Sequence, residues 1–282
     1  MPRVAAIGYL SIDTIEADGK RHAGVPGGAA LYAALGARAA GADATLIVAA
    51  GEDWSATWFD RLIALGIDVV VEWRPGPTRR ARLAYMADTR QSNHHADDAW
   101  WQRTAALAPA LPMSIGADVL VAGPMAATTL ASAITLAERE GVPVVCDTSE
   151  AFAGRQASAL LALLPRINTF APSREETSLI MPGLSDDDAA LGLATRGCRV
   201  LQKRGPDGAL AVDGSDVATI AAPPTRVVDA TGAGDATVGA LAAALAQDEP
   251  FFAAAEAALG IGARTVSAIG PVALGLDFAR AS

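Results

Sequence analysis

Along the chain, short continuous apolar runs alternate with stretches whose apolar positions recur every three to four residues. "RVAAIGYL", "ATLIVAAG", "IDVVVEW", "ADVLVAG", "VPVVCDT", "RINTFAP", "CRVLQKRG" and "GALAVDG" read as strands; "AALYAALGARAAG", "WSATWFDRLIALG", "MAATTLASAITLAEREG" and "SREETSLIM" read as helices. A further helix opens at Ser185, with Asp186, Asp187 and Asp188 in its first turn, and stops at Gly197. A hydroxyl cap and acids at the positive helix end fit that start. Two Ala-rich helices, at 234–247 and 251–268, close the pattern. Strand–helix alternation predicts an α/β fold, a central, mostly parallel sheet with helices on both faces, because parallel strands need long crossovers.

Two stretches break this rhythm. Residues 10–26 and 68–95 alternate polar and apolar positions between Gly and Pro, as half-exposed antiparallel strands do. They predict a small β lid inserted into one domain spanning 1–282, since no repeat or linker separates a second unit. Exposed lid edges make a homodimer through these strands an expectation.

Composition narrows the partners. With 282 residues, 51% of them hydrophobic, the chain can bury a large core. A net charge of −9 disfavours nucleic acid and anionic membranes, and "MPRVAAIGYLSIDTIEADG" lacks a signal-peptide pattern, so a soluble cytoplasmic protein with a small-molecule substrate is expected. Cys146 and Cys198 sit in apolar runs and read as buried thiols.

The chemistry concentrates in "DATGAGD", residues 229–235. Gly232, Ala233 and Gly234 can form a turn whose amides point inward beside a helix N-terminus, which is an anion hole. Asp235, in the first helical turn, is placed to accept a proton from an attacking hydroxyl. A plain helix cap with a structural turn explains the same residues, and both readings stand on this segment alone.

"VVDATGAGDATVGALAAAL" resembles the C-terminal signature of the ribokinase-like (PfkB) carbohydrate kinases, Asp-Thr-x-Gly-Ala-Gly-Asp, with Ala230 departing in the second place. "IGYLSIDTI" resembles the family's first strand and its substrate aspartate. "GGAALYAALGARAAGADATLIVAAGED" resembles its Gly-Gly motif and Gly-x-Asp. "PSREETSLI" stands for Pro-Asn-x-x-Glu, and "LQKRGPDGAL" for the strand ending in Gly-x-x-Gly. The motifs keep family order over nearly the whole chain.

The resemblance implies a ribokinase-like fold and transfer of the ATP γ-phosphoryl group to a hydroxyl of a sugar or sugar-like alcohol. Nucleoside or vitamin-precursor kinases of the same superfamily, or a non-catalytic sugar- or nucleotide-binding protein on this scaffold, are the alternatives. By position, Asp235 would be the base, and the amides of Gly232, Ala233 and Gly234 would hold the transferring phosphate. Asp13, Gly27, Gly28 and Tyr32 would meet the substrate; Lys203, Gly205, Thr231 and Ser173 would meet the nucleotide. Glu176 would organise Mg²⁺ through water, and Asp229 stands near a loop that in some members surrounds a monovalent cation such as K⁺. Tyr32 and Ser173 both replace a usual Asn, and the Tyr32 ring could stack on a substrate ring.

Other clusters carry less. His94 and His95 with Asp97 and Asp98 read as solvent-facing, with metal binding as the rarer alternative. In "TRRAR", Arg80 and Arg82 share one strand face and Arg79 takes the other. A solvated face is the simple reading, and an anionic substrate group met by Arg80 or Arg82 the sharper one. Trp54 and Trp58 read as one core helix face, Trp100 and Trp101 as packing at a helix start, and "GPDG" as a turn. Asp147, after "VPVVC", stands at a strand end as a site-edge residue or a cap.

Overall fold

A computed structural model describes residues 1–17, 19–85, 91–93 and 97–278, so His94 and His95 lie outside the described residues. The elements run β1 (Arg3–Tyr9), β2 (Ser11–Ala17), β3 (Lys20–Gly27), α1 (Ala29–Ala39), β4 (Asp43–Gly51), α2 (Ala56–Ala64), β5 (Ile67–Arg74), β6 (Arg79–Tyr85), β7 (Gln91–Asn93) and α3 (Asp98–Ala106). Next come β8 (Val119–Ala122), α4 (Ala127–Glu140), β9 (Val144–Cys146), α5 (Glu150–Leu163), β10 (Thr169–Phe170), α6 (Arg174–Ile180), α7 (Asp186–Ala194) and β11 (Arg199–Lys203). Finally there are β12 (Ala209–Asp213), β13 (Asp216–Ile220), α8 (Ala233–Leu245) and α9 (Phe251–Thr265).

Nine strands form the main sheet in the order β13-β12-β11-β10-β9-β8-β1-β4-β5, parallel from β11 to β5, with β12 and β13 added antiparallel at one edge. Every position of β1 after Arg3 is buried, as a central strand covered on both faces requires. Its side chains alternate between two cores. Val4 and Ala6 pack with residues of α1, α2, α8 and α9, whereas Ala5, Ile7 and Tyr9 pack with α4, α5, α6 and α7. Trp54 and Trp58 meet edge-to-face at 4.8 Å in the first core, although Trp54 precedes α2 rather than riding on it. Cys146 and Cys198 are free and buried.

The tightest helix contact joins α1 to α8. A Cβ on Gly36 would stand 2.7 Å from Ala236 Cα, and one on Gly239 would stand 2.6 Å from the Ala33 carbonyl carbon. The two backbones therefore touch where any side chain would separate them.

The lid is a second sheet, ordered β3-β2-β6-β7. It differs from the sequence reading in two ways. Residues 68–74 belong to β5, the edge of the main sheet, because they continue the parallel ladder on β4; the second lid segment begins at Arg79. β2 and β6 pair parallel, not antiparallel, since the intervening chain passes through the main sheet before returning. The Gly-x-Asp motif ties down that return: Glu52 accepts the Gly76 amide, and Asp53 accepts the Thr78 amide and the Arg80 guanidinium. Among the described residues no helix is long and apolar enough to cross a membrane.

Candidate active site

The parallel strands end along one edge, where open α/β sheets place ligands. Asp147 follows β9, Ser173 and Glu176 follow β10, Lys203 ends β11, and Asp235 lies in the first turn of α8. Lys203 Nζ is 2.6 Å from Asp147 Oδ2, with 12% and 3% of the two side chains exposed, so the pair is largely shielded from water. A Cβ on Gly234 would stand 3.3 Å from the same Nζ, which sets the ammonium against the glycine turn.

Lys203 faces three carboxylates, those of Asp147, Glu176 and Asp235. Burial works to lower its pKa, but those three acids outweigh burial and raise it, so the ammonium stays charged. The acids feel the opposite shortage. Burial first, then the neighbouring Asp147, lifts Asp235 to about 7, with Lys203 pulling it back. Burial lifts Glu176 to about 8 against the pull of Lys203, and burial also raises Asp147. One cation thus faces three carboxyl groups at the mouth of the turn. That donor set fits a hydrated Mg²⁺, which takes few direct protein oxygens; among the described residues no three His, Cys, Asp or Glu side chains form a ready protein cage.

The glycine turn has a definite geometry. Gly232 takes φ 74°, ψ 1° as the residue before α8, a left-handed conformation that glycine adopts without steric cost. Asp229, 1% exposed, builds the approach: the Thr231 amide and hydroxyl donate to its Oδ1 at 2.9 and 2.6 Å, and the Gly270 amide donates to Oδ2 at 2.7 Å. Both Asp229 oxygens are thus engaged by protein donors, which fixes the carboxylate behind the turn.

At the other end of the site, Asp13 on β2 is 3% exposed, with Oδ1 buried and unpartnered. Burial lifts it to about 7, against the pull of the Ser11 hydroxyl, the Arg79 charge and the Ala81 amide. Gly27 lies directly against Asp13, and Gly28, at φ 106°, leads into α1.

Three expectations are redirected. Tyr32 is 1% exposed, and a Cβ on Gly232 would run into its ring; the side chain supports the phosphate turn from beneath and has no face open to stack on a ligand. Arg82 lies on the outer lid face, where its guanidinium meets Glu16 at 2.7 Å, and Arg80 is paired with Asp53. Ser173 spends its side chain capping α6: its Oγ accepts the Glu176 amide at 3.2 Å, while Glu176 Oε2 accepts the Ser173 amide at 2.6 Å. This reciprocal capping box holds the Glu176 backbone at the site edge. Gly205, at φ 56°, opens a short 3-10 turn after β11.

Sequence reasoning left Asp147 open and put Arg79 on the strand face opposite Arg80 and Arg82 without a partner. The structure pairs Asp147 with Lys203 and turns Arg79 inward, between the rings of Tyr9 and Trp100. The signal was present in the alternation: Arg79 shares its strand face with Ala81 and Leu83, which pack in the lid core. Trp101 packs edge-to-face on Phe152, and Asp97 caps α3 by accepting the Trp100 amide at 2.8 Å.

A carboxylate beside a glycine turn at a helix N-terminus, with a lysine and two further acids close by, is an arrangement suited to phosphoryl transfer onto a hydroxyl. The chain belongs to the pfkB family of carbohydrate kinases, which it matches over residues 1–276. It is 27% identical to the cytidine kinase of Thermococcus kodakarensis over 257 residues, covering 88% of this chain and 90% of that protein. Among solved structures it is similar to a ribokinase II from Escherichia coli in complex with ATP and Mg²⁺ (TM-score 0.75, 20% identity, 98% and 96% of the two chains). It is also similar to the Burkholderia thailandensis nucleoside kinase in complex with inosine (TM-score 0.75, 20% identity, 96% and 91% covered).

Proposed function

We propose that the protein transfers the γ-phosphoryl group of ATP, with Mg²⁺, to a hydroxyl of a sugar or sugar-like alcohol. The carrying observation is Asp235: a carboxylate in the first turn of α8, lifted to about 7, beside the turn that can hold the phosphate. A base with that pKa is ionised for much of its time at neutral pH and still accepts a proton readily. Asp235 takes the hydroxyl proton as the oxygen attacks phosphorus. The amides of Gly232 and Gly234 and the Lys203 ammonium meet the charge on the transferring phosphoryl oxygens, which is the main work of such transfer, while the Ala233 amide already donates to the Ala230 carbonyl. Mg²⁺ would supply further charge neutralisation, with Glu176 and Asp147 holding its water shell. Asp13 accepts hydrogen bonds from substrate hydroxyls at the Gly27–Gly28 backbone, under the lid. Gly205 lies beside the nucleotide.

The match to a cytidine kinase favours a second reading, a nucleoside as the alcohol, with the same base and turn. Phosphorylation measured against a panel of pentoses, hexoses, inositols, sugar acids and nucleosides separates the two. No ADP formation above the ATPase background with any alcohol would reject the kinase reading. The reading places the protein in the cytoplasm, where ATP is supplied. It includes a homodimer through the lid edges β3 and β7, which sedimentation would measure.

A further inference from the structure

Arg79 is the one charged side chain of the substrate end without a task in this scheme. It opens β6, and its guanidinium lies 4.5 Å from the Tyr9 ring centroid and 4.6 Å from that of Trp100. Its Nε is buried without a hydrogen-bond partner. Among the described residues it forms no salt bridge, although the adjacent Arg80 and Arg82 each hold a carboxylate. Asp13 is near enough for the two charges to favour one another, yet it is not joined to Arg79 as an ion pair, and its own Oδ1 is equally unpartnered. Burial pulls Arg79 down to about 10, which leaves it fully protonated at neutral pH.

Arg79 is half-buried, and burying its Nε without a hydrogen bond is costly, a cost that an apolar side chain against the two rings would avoid. The donors of a guanidinium lie in its plane, where the fork matches two oxygens of a carboxylate or phosphate. The Arg79 charge and the unpartnered Asp13 oxygen are close enough to act on one another, the first suited to an acceptor and the second to a hydroxyl.

We propose that Arg79 receives an anionic group of the substrate, a carboxylate or a phosphate, so that the alcohol phosphorylated is an acidic polyol rather than a neutral sugar or a nucleoside. This rests on the kinase reading for placing the substrate at Asp13.

The test is calorimetric binding without nucleotide, using matched pairs: gluconate against glucitol, glucose 6-phosphate against glucose, and cytidine beside them. In the wild type the anionic member of at least one pair binds about ten- to hundredfold tighter than its neutral partner, as expected for a charge-assisted hydrogen bond. The pair that shows it distinguishes carboxylate from phosphate. Arg79→Met abolishes that preference and leaves the neutral partner's Kd within about twofold, while Arg79→Lys, which keeps the charge and the fold, lowers the preference by losing the fork. Equal binding within both pairs, cytidine binding tighter than either anion, or full preference in both variants overturns the proposal. ADP formation is read on the same ligands with Mg²⁺ and ATP. Discrimination without turnover rejects the kinase reading alone, and turnover confined to neutral alcohols rejects the Arg79 assignment alone.

Discussion

Replacing Gly27 by alanine tests whether Asp13 is clamped. Gly27 has no positive φ, so its backbone accepts alanine without strain, and any effect comes from the added methyl. That methyl would overlap Asp13 Oδ2, stand 2.8 Å from Asp13 Cγ and stand 3.1 Å from Ser11 Oγ. Carbon atoms in ordinary contact sit about 3.5–4.0 Å apart, so the carboxyl must retreat by about 1 Å. It is 3% exposed and has little room to do so. Overpacking of this kind costs about 1–3 kcal/mol. Urea unfolding of Gly27→Ala, Asp13→Ala and the double variant isolates the clash, because directly touching residues couple and distant ones add. Gly27→Ala is expected to cost about 2 kcal/mol alone and under about 0.5 kcal/mol when Asp13 is already alanine. In kinase assays the single variant should raise KM for the alcohol and leave KM for ATP nearly unchanged. The same cost in both backgrounds would refute the argument.

Asp235→Asn should reduce kcat by about 10²-fold or more while ATP binding by calorimetry stays near normal; near-normal turnover would remove Asp235 as the base. Because that base must be ionised, kcat/KM should rise with pH through about 7 and then level, and a flat profile between pH 5.5 and 8 would contradict the assignment. The same raised carboxyls predict a stability slope. Asp13 and Asp235, at about 7, and Glu176, at about 8, hold protons in the folded state that the unfolded chain has released above about 4. Their contribution is therefore full below about 4 and lost as pH rises through 7 to 8, so without Mg²⁺ or nucleotide the protein should resist urea better at pH 6 than at pH 8. The reverse order would show that these acids are already ionised in the fold. Lys203→Met leaves Asp147 without its partner and should cost about 3 kcal/mol in urea unfolding; a loss below about 1 kcal/mol would mean that water already compensates the pair.

Much of this site could be read from one dimension. The order of strands and helices, the amide turn at 232–234 and the register of Asp13, Glu176 and Asp235 follow from periodicity and motif. Helix α5 and strand β13 went unread, and each has a reason. α5 deviates from helical dihedrals at Gln156, and its buried positions are few; β13 is an edge strand with no fully buried residue. The roles of Tyr32 and Arg79 depended on packing partners more than twenty residues away in sequence: Gly232 against one, Tyr9 and Trp100 beside the other. Tyr32 in particular sits in a helix buried continuously from Ala30 to Ala37, and nothing local distinguishes a core ring from a ligand platform. For Arg79 a local cue existed, in the apolar neighbours two and four residues on, and the charges of the cluster obscured it.

The contact of Gly36 on Ala236 and of Gly239 on Ala33 has a bearing on how such an enzyme can change. In the proposed scheme α1 begins at the glycines beside the alcohol and α8 at the base, so the backbone seam between these helices would work as a fixed gauge for the distance between the two reacting ends. A methyl inserted far along that seam would misalign the chemistry without touching it. The lid, joined by a separate sheet, carries no such constraint. Changes of substrate are therefore open to lid positions such as 79, while the gauge confines drift in the rest, and a redesign for a new alcohol should leave the seam untouched.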